Sequence, residues 1–581
     1  MNTKFNQTLL FIALLTTSIA CKKSSPSTTP PVVTPPTPTD TTVVPGVDPE
    51  LAKTIGFFLD DWQPKTFTAP AYNDADPGAG VTVTITVDAS NIITKIPLSE
   101  FGHNANTWMT PMVTEPVFLN HTTNLNPHII RFPAGSGSDA YFWNRTQGDS
   151  PADAPLKIMN KDGVLTEPGY GYGRTSNNWQ ATLDNYYGML QQTGNQGLLT
   201  VNYGYARYST APNPVAAAAH LAADWVRYDN GRTKYWEIGN ENFGDWEWGY
   251  RINTSTNHDG QPEYLTGQLY AQHFKVFSDS MKKAAGEIGK TIYIGAVTVE
   301  APATESWQTN TLKTWNSGMI PELNNINDFY VVHSYFTPYN TNSNAAEIVG
   351  LAKTVPETIM KFVTETITSK SAVIKPVVMD EWNMFATGSM QQVSNISGLF
   401  SVIVMGENIK NKYGLSARWD LLNGWDNGND HGLFSAGDEP GVLKWSPRPS
   451  FYYLYYFKKL LGDRMVANTI SGNASIFAYS STFSSGESNT AIVNTSGTVQ
   501  VVEIKMKNFR MGNKFYWYSL EGGSDNGEFS RKVSVNGNTN STAAGGPVDY
   551  VNLKANAAST ANGVRVTVPA KGAVILAIDK K

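Results

Sequence analysis

Cysteine is nearly missing. Cys21 is the single one in 581 residues, so no intrachain disulfide can form. Charge is scarce as well: Asp, Glu, Lys and Arg make up 16%, with a formal net charge of −5. That balance gives no electrostatic reason to expect nucleic acid as a partner. No Cys/His cluster with metal-ligand spacing, no phosphate-cradling loop and no Ser-His-Asp arrangement stands out, so no cofactor is expected. Long apolar runs are also lacking; Leu9 to Leu15 is too short to span a membrane. What is present is a globular chain, 41% hydrophobic and 12% aromatic with 15 Trp, long enough for two or three domains. Most of those rings belong to cores.

The lone cysteine has a context. A basic start at Lys4, the short apolar run and Ser18-Ile19-Ala20 precede it, which resembles a bacterial lipoprotein signal ending at a lipidated Cys21. Ser18 departs from that pattern, where Leu is usual; an ordinary secretory signal is the alternative. Either way the protein is expected to be exported, with any membrane attachment through a lipid anchor only. Residues 22–47 are rich in Ser, Thr and Pro, cannot bury a core and read as an extended spacer.

Residues 48–94 hold one clear strand, Val81-Thr82-Val83-Thr84-Ile85-Thr86-Val87, which alternates strictly; it belongs to the barrel described next or joins a later sheet. Over 95–462 a strand–helix rhythm predicts a (β/α)8 barrel of the α/β class. Its strands are expected to end at Phe101-Gly102-His103-Asn104, Ile130-Arg131-Phe132, Thr200-Val201-Asn202, Gly239-Asn240-Glu241, Ile294-Gly295-Ala296, Val332-His333-Ser334-Tyr335, Met379-Asp380-Glu381 and Leu422-Asn423-Gly424-Trp425. Polar clusters at those C-terminal ends fall on the face where such barrels build active sites. Short strands with Gly, Asn and Ser turns over 463–581 predict an all-β sandwich.

Glu241 and Glu381 each end an apolar run, 381 − 241 or 140 residues apart, about the chain that separates strands four and seven of a barrel. Two carboxylates on different strand ends in one pocket are the equipment for hydrolysing a glycosidic bond. Asp380 rivals Glu381, but strand alternation sends the two to opposite faces.

Tyr-Trp-Glu-Ile-Gly-Asn-Glu-Asn (235–242) and Asp-Glu-Trp-Asn (380–383) resemble the acid/base and nucleophile motifs of glycoside hydrolase family 51, the α-L-arabinofuranosidases. More broadly they resemble clan A of retaining barrel hydrolases, and the segment from Ile130 to Gly135 is similar to one family 51 carries after strand two. The resemblance implies Glu241 as acid/base and Glu381 as nucleophile. It implies Asn240 on the sugar 2-hydroxyl and Arg131 holding the nucleophile ionised. It places an aromatic ring from strand six on the nucleophile, Tyr335 before His333, and a polysaccharide or oligosaccharide as substrate; an endo-β-glycanase of the same clan and a non-catalytic glycan-binding lipoprotein are the alternatives. Trp425 is a candidate sugar platform, with Trp108, Trp246 and Trp248 as candidates for outer subsites. The family's Glu after strand one and its Asn after Pro-Gly-Gly are missing here; His103 to Trp108 and Ser136 stand instead, which bears on the sugar and not on the mechanism. Asp426 to Asp430 is similar in composition to a calcium loop but lacks its closing Glu, and no metal ligand is assigned.

Overall fold

The computed structural model describes residues 43–133, 135–425, 428 and 430–581. The leader with Cys21, most of the spacer, and Asp426, Asn427 and Asn429 of the acidic loop lie outside the described residues. Among the described residues no helix is long and apolar enough to cross a membrane.

Eight parallel strands close a barrel: Gly102–Asn104, Ile129–Phe132, Gln196–Val201, Thr233–Ile238, Tyr293–Val297, Phe329–Tyr335, Val377–Asn383 and Leu415–Arg418. Helices follow each in turn, and their sequence explains them locally. In Pro214–Asp229 the Asn213 side chain caps the first turn, proline stands at its start, and Asn230 ends it in the left-handed conformation. The alanines at 218, 219, 222 and 223 are buried, which lets the helix lie close to its neighbours.

The eighth strand lies earlier than expected. Leu422–Asn423 pairs with Phe434–Ser435 in a separate two-stranded ladder, while Leu415–Arg418 closes the barrel onto the first strand. Ser416 and Ala417 carry little β preference, so the run reads weakly in sequence. Their small size is what the closure needs. A Cβ on Gly102 would sit 2.5 Å from the Ser416 carbonyl oxygen.

Period two along the strands stacks two layers inside the barrel. The lower is apolar, with Ile129, Leu198, Tyr235, Val331 and Val378, and is plugged from below by Ile55 and Phe58. Two residues further along each strand the upper layer is polar: Arg131, Thr200, Glu237, His333 and Asp380, all buried.

Eleven further strands form a mixed sheet curled over a core of Val83, Ile85, Val87, Ile492, Phe515, Trp517 and Leu576. Val83–Lys95 lies in this sheet, between Arg464–Ser471 and Gln500–Lys507. The helix Pro449–Leu460 fills the space between barrel and sheet, so Phe451 to Phe457 are buried on every side.

Candidate active site

Arg131 organises the upper layer. Its Nε donates to Glu237 at 2.9 Å, one terminal nitrogen donates to Glu381 at 2.9 Å and to Asn104 at 3.1 Å, and the other to Asn240 at 2.8 Å. Charge-assisted bonds of this kind hold both orientation and ionisation. The other Glu381 oxygen accepts from the Tyr335 hydroxyl at 2.6 Å. Tyr335 is itself stacked on Phe385, ring centres 4.6 Å apart.

The loop after strand four presents Asn240 and Glu241. Gly239 turns the chain at φ +77°, where a Cβ would lie 1.9 Å from the Asn242 side-chain oxygen. Glu241 follows with φ 42°. Buried Asp139 pins this turn by accepting from the Asn240 backbone and the Asn242 amide, and it pins the loop after strand three through the Tyr203 and Gly204 N–H groups. Glu241 is bonded on both oxygens, to His333 Nδ1 at 2.8 Å and to the Trp246 indole N–H at 2.9 Å.

His333 sits between carboxyls. Nδ1 lies 2.8 Å from Glu241 and 3.6 Å from Glu381, and Nε2 lies 3.2 Å from Asp380 and 3.8 Å from Glu237. A carboxylate oxygen from each of Glu241 and Glu381 and a His333 nitrogen fall within 4.8 Å of one another. Burial opposes charge on His333, but the Glu381 charge, the Asp380 carboxylate 3.2 Å from Nε2 and the bond to Glu241 outweigh it, and its pKa stands well above the usual imidazole value. Burial likewise pushes Glu241 up, yet His333 and the Trp246 N–H leave it below the ordinary carboxylate value. Glu381 stays raised, because burial exceeds the pull of His333 and Arg131.

Arg131 and His333 thus face four carboxyls, Glu237, Asp380, Glu241 and Glu381. Two cations cannot neutralise four clustered carboxylates, three of them buried, so protons must be held within the cluster. Glu237, pushed up to about 7 by burial against Arg131, is one group that takes one. The donor sets Glu237–His333–Asp380 and Glu241–His333–Glu381 are close enough to hold a metal ion. The guanidinium 3.6 Å from Asp380 and the charged imidazole already supply positive charge there.

Of the residues expected at the site, Glu241, Glu381, Asn240, Arg131, His333 and Tyr335 come together. Trp425 does not stand at a strand end: it lies beyond the two-stranded ladder, with the Arg531 guanidinium over its ring at 5.3 Å and its backbone N–H donating to Asp438. Trp419, directly after strand eight, is the ring near the mouth, edge-on to Trp108 at 6.4 Å. Asp380 is also not turned away from Glu381. Strand six pairs Val332 with Met379 and then His333 with Glu381, so Asp380 is the extra residue of a bulge and both carboxyls face inward. Glu237, Asp139 and Glu247 are further site carboxyls; Glu237 had a visible signal, a charge inside the apolar run Tyr-Trp-Glu-Ile.

No family model matches the chain, and no curated protein matches it. Solved structures do. An α-L-arabinofuranosidase of Thermotoga maritima in complex with arabinose superposes with a TM-score of 0.60 over 85% of this chain and 99% of its own, at 16% identity. The family 51 α-L-arabinofuranosidase of Thermotoga petrophila gives 0.58 over 86% and 100%, also at 16% identity. A family 44 xyloglucanase of Paenibacillus polymyxa gives 0.52 over 86% and 100%, at 12% identity. What the chain shares with these proteins is the fold, a (β/α)8 barrel joined to a β-sheet domain.

Proposed function

We propose that the protein is a retaining glycoside hydrolase, and that α-L-arabinofuranosidase is its leading activity. The observation that carries this reading is the meeting of Glu241 and Glu381 at His333, with carboxylate oxygens within 4.8 Å. Retaining enzymes hold their carboxyl pair about 5–5.5 Å apart, and inverting ones about 6.5–9.5 Å to admit a water.

Glu381, held by Arg131 and Tyr335, attacks the anomeric carbon. The Glu241–His333 pair delivers a proton through Glu241 to the departing oxygen. Esterifying Glu381 removes one negative charge beside His333, and Glu241 then accepts the proton of the water that releases the sugar. The arabinofuranoside preference is supported by the fold shared with the two Thermotoga enzymes and by the sequence resemblance of the two motifs. A second reading, an endo-β-glycanase, is favoured by Trp108 and Trp246, which are 40% and 45% exposed beside Trp419 and Glu241 and offer platforms for a longer chain.

A panel of aryl glycosides including α-L-arabinofuranoside, given to wild type and Glu381→Ala, tests the proposal. Turnover of the arabinofuranoside by wild type and a loss of about 10³-fold or more in the variant is expected. Turnover confined to polysaccharide, with mid-chain cleavage, would favour the endo reading. Turnover of neither would defeat both.

A further inference from the structure

The loop that leaves the Asn240–Glu241 pair returns to grip it. Trp246 donates to Glu241, and the next residue, Glu247, takes the Asn240 amide N–H on Oε1 at 3.0 Å. The same Glu247 oxygen accepts from the Ser136 hydroxyl at 2.6 Å, which ties the grip to the loop after strand two. At its other end the Asn240 amide oxygen is held by Arg131 at 2.8 Å. An amide has one acceptor and two N–H donors. With the oxygen fixed on Arg131 and one N–H on Glu247, the side chain cannot flip, and a single N–H remains to bond a ligand.

We infer that Glu247 is a positioning residue that fixes Asn240 so that its remaining N–H meets the 2-hydroxyl of the sugar being cleaved. This rests on the glycosidase reading above, in which the resemblance already implies Asn240 on that hydroxyl, and adds the residue that sets the amide's orientation. Glu247 is buried, and its Oε2 has no hydrogen-bond partner among the described residues. Burial, with the charges of Asp139 and Glu241 nearby, holds its pKa well above the carboxylate range. It therefore acts as a neutral acceptor, and an amide can replace it. Ser136 belongs to the same device, since its hydroxyl bonds Glu247.

The test uses Glu247→Ala and Glu247→Gln with the aryl glycoside that wild type cleaves best and with its 2-deoxy counterpart. Glu247→Ala should lower kcat/KM about ten- to hundredfold on the 2-hydroxy substrate and by a much smaller factor on the 2-deoxy substrate. Glu247→Gln should restore wild-type behaviour. Equal loss on both substrates, or no loss on either, overturns the assignment, and a Gln variant as damaged as the Ala variant overturns the neutral acceptor. If wild type cleaves no glycoside, the glycosidase reading fails by itself. The grip is then judged by the crystal structure of Glu247→Ala, where an Asn240 amide that has turned supports it and an unmoved one overturns it.

Discussion

Both ring nitrogens of His333 face carboxyls, Glu241 and Glu381 on one side and Asp380 and Glu237 on the other, with Arg131 bonded to two of the same four groups. The proton that a leaving oxygen would receive is therefore shared between an imidazole raised well above its usual value and a carboxyl lowered below its own. As a unit, the pair loses that proton only when the pH passes the raised imidazole value. In His333→Gln the proton rests on Glu241 alone, whose affinity for it is that of a half-buried carboxylic acid. The form able to donate then disappears at lower pH. The alkaline limb of the kcat/KM profile should move toward acid by about one unit or more, with the acid limb less affected. A profile whose alkaline limb stays in place would mean that His333 does not share the catalytic proton.

Elements place these side chains, and one short element carries an unpaid cost. Glu100 lies in the turn Leu98–Glu100 that leads into the first barrel strand. It is fully buried, neither of its oxygens has a hydrogen-bond partner among the described residues, and burial raises its pKa well above the usual value. Proton binding and folding are linked at such a group. A raised folded-state pKa contributes stability at low pH, where the carboxyl is protonated folded and unfolded alike. That contribution is lost as pH rises above about 4.3, where the unfolded chain ionises freely. Glu100→Gln removes the ionisation, so its stability relative to wild type should improve between pH 5 and pH 8, by about 1–3 kcal/mol. Denaturant melts at the two pH values read this directly; a pH-independent difference would show that Glu100 finds a partner or water when ionised. Apolar runs in alternation with helical stretches mark seven of the barrel strands, and period two brings His333 and Tyr335 to one face. Asp380 was misread because a bulge breaks period two, and nothing in Met-Asp-Glu-Trp marks one. Strand eight was misplaced because its closure selects small residues at Ser416 and Ala417 over β-branched ones. Glu247 and Asp139 act through loops, where no periodicity reports which side chains turn inward.

Across the whole molecule the chain order ties the two domains into one folding problem. The strand Val83–Lys95 precedes the barrel in sequence, yet pairs with Arg464–Ser471 and Gln500–Lys507, which follow it. Tyr72–Asp74 pairs with Ala555–Ser559 in the same sheet. The sheet is therefore complete only after the barrel has been synthesised. The helix Asn395–Lys410 is buried along nearly its whole length, because barrel strands cover one side and the sheet the other. Its buried Glu407 accepts from the Tyr479 hydroxyl at 2.9 Å and pairs with Lys353. A fragment ending at residue 462 would expose Val83, Ile85 and Val87, each worth about 1.5–3 kcal/mol when buried, and would leave Glu407 without its Tyr479 partner. Domains that share a strand and a buried helix should melt together. Calorimetry of residues 43–581 should therefore give one cooperative transition, with intrinsic tryptophan fluorescence and far-ultraviolet dichroism changing at the same temperature. The fragment 43–462 should be unfolded or insoluble. Two separated transitions, or a folded 43–462 fragment that cleaves the same substrate, would mean that the barrel closes without the sheet and that the shared strand is only a tether.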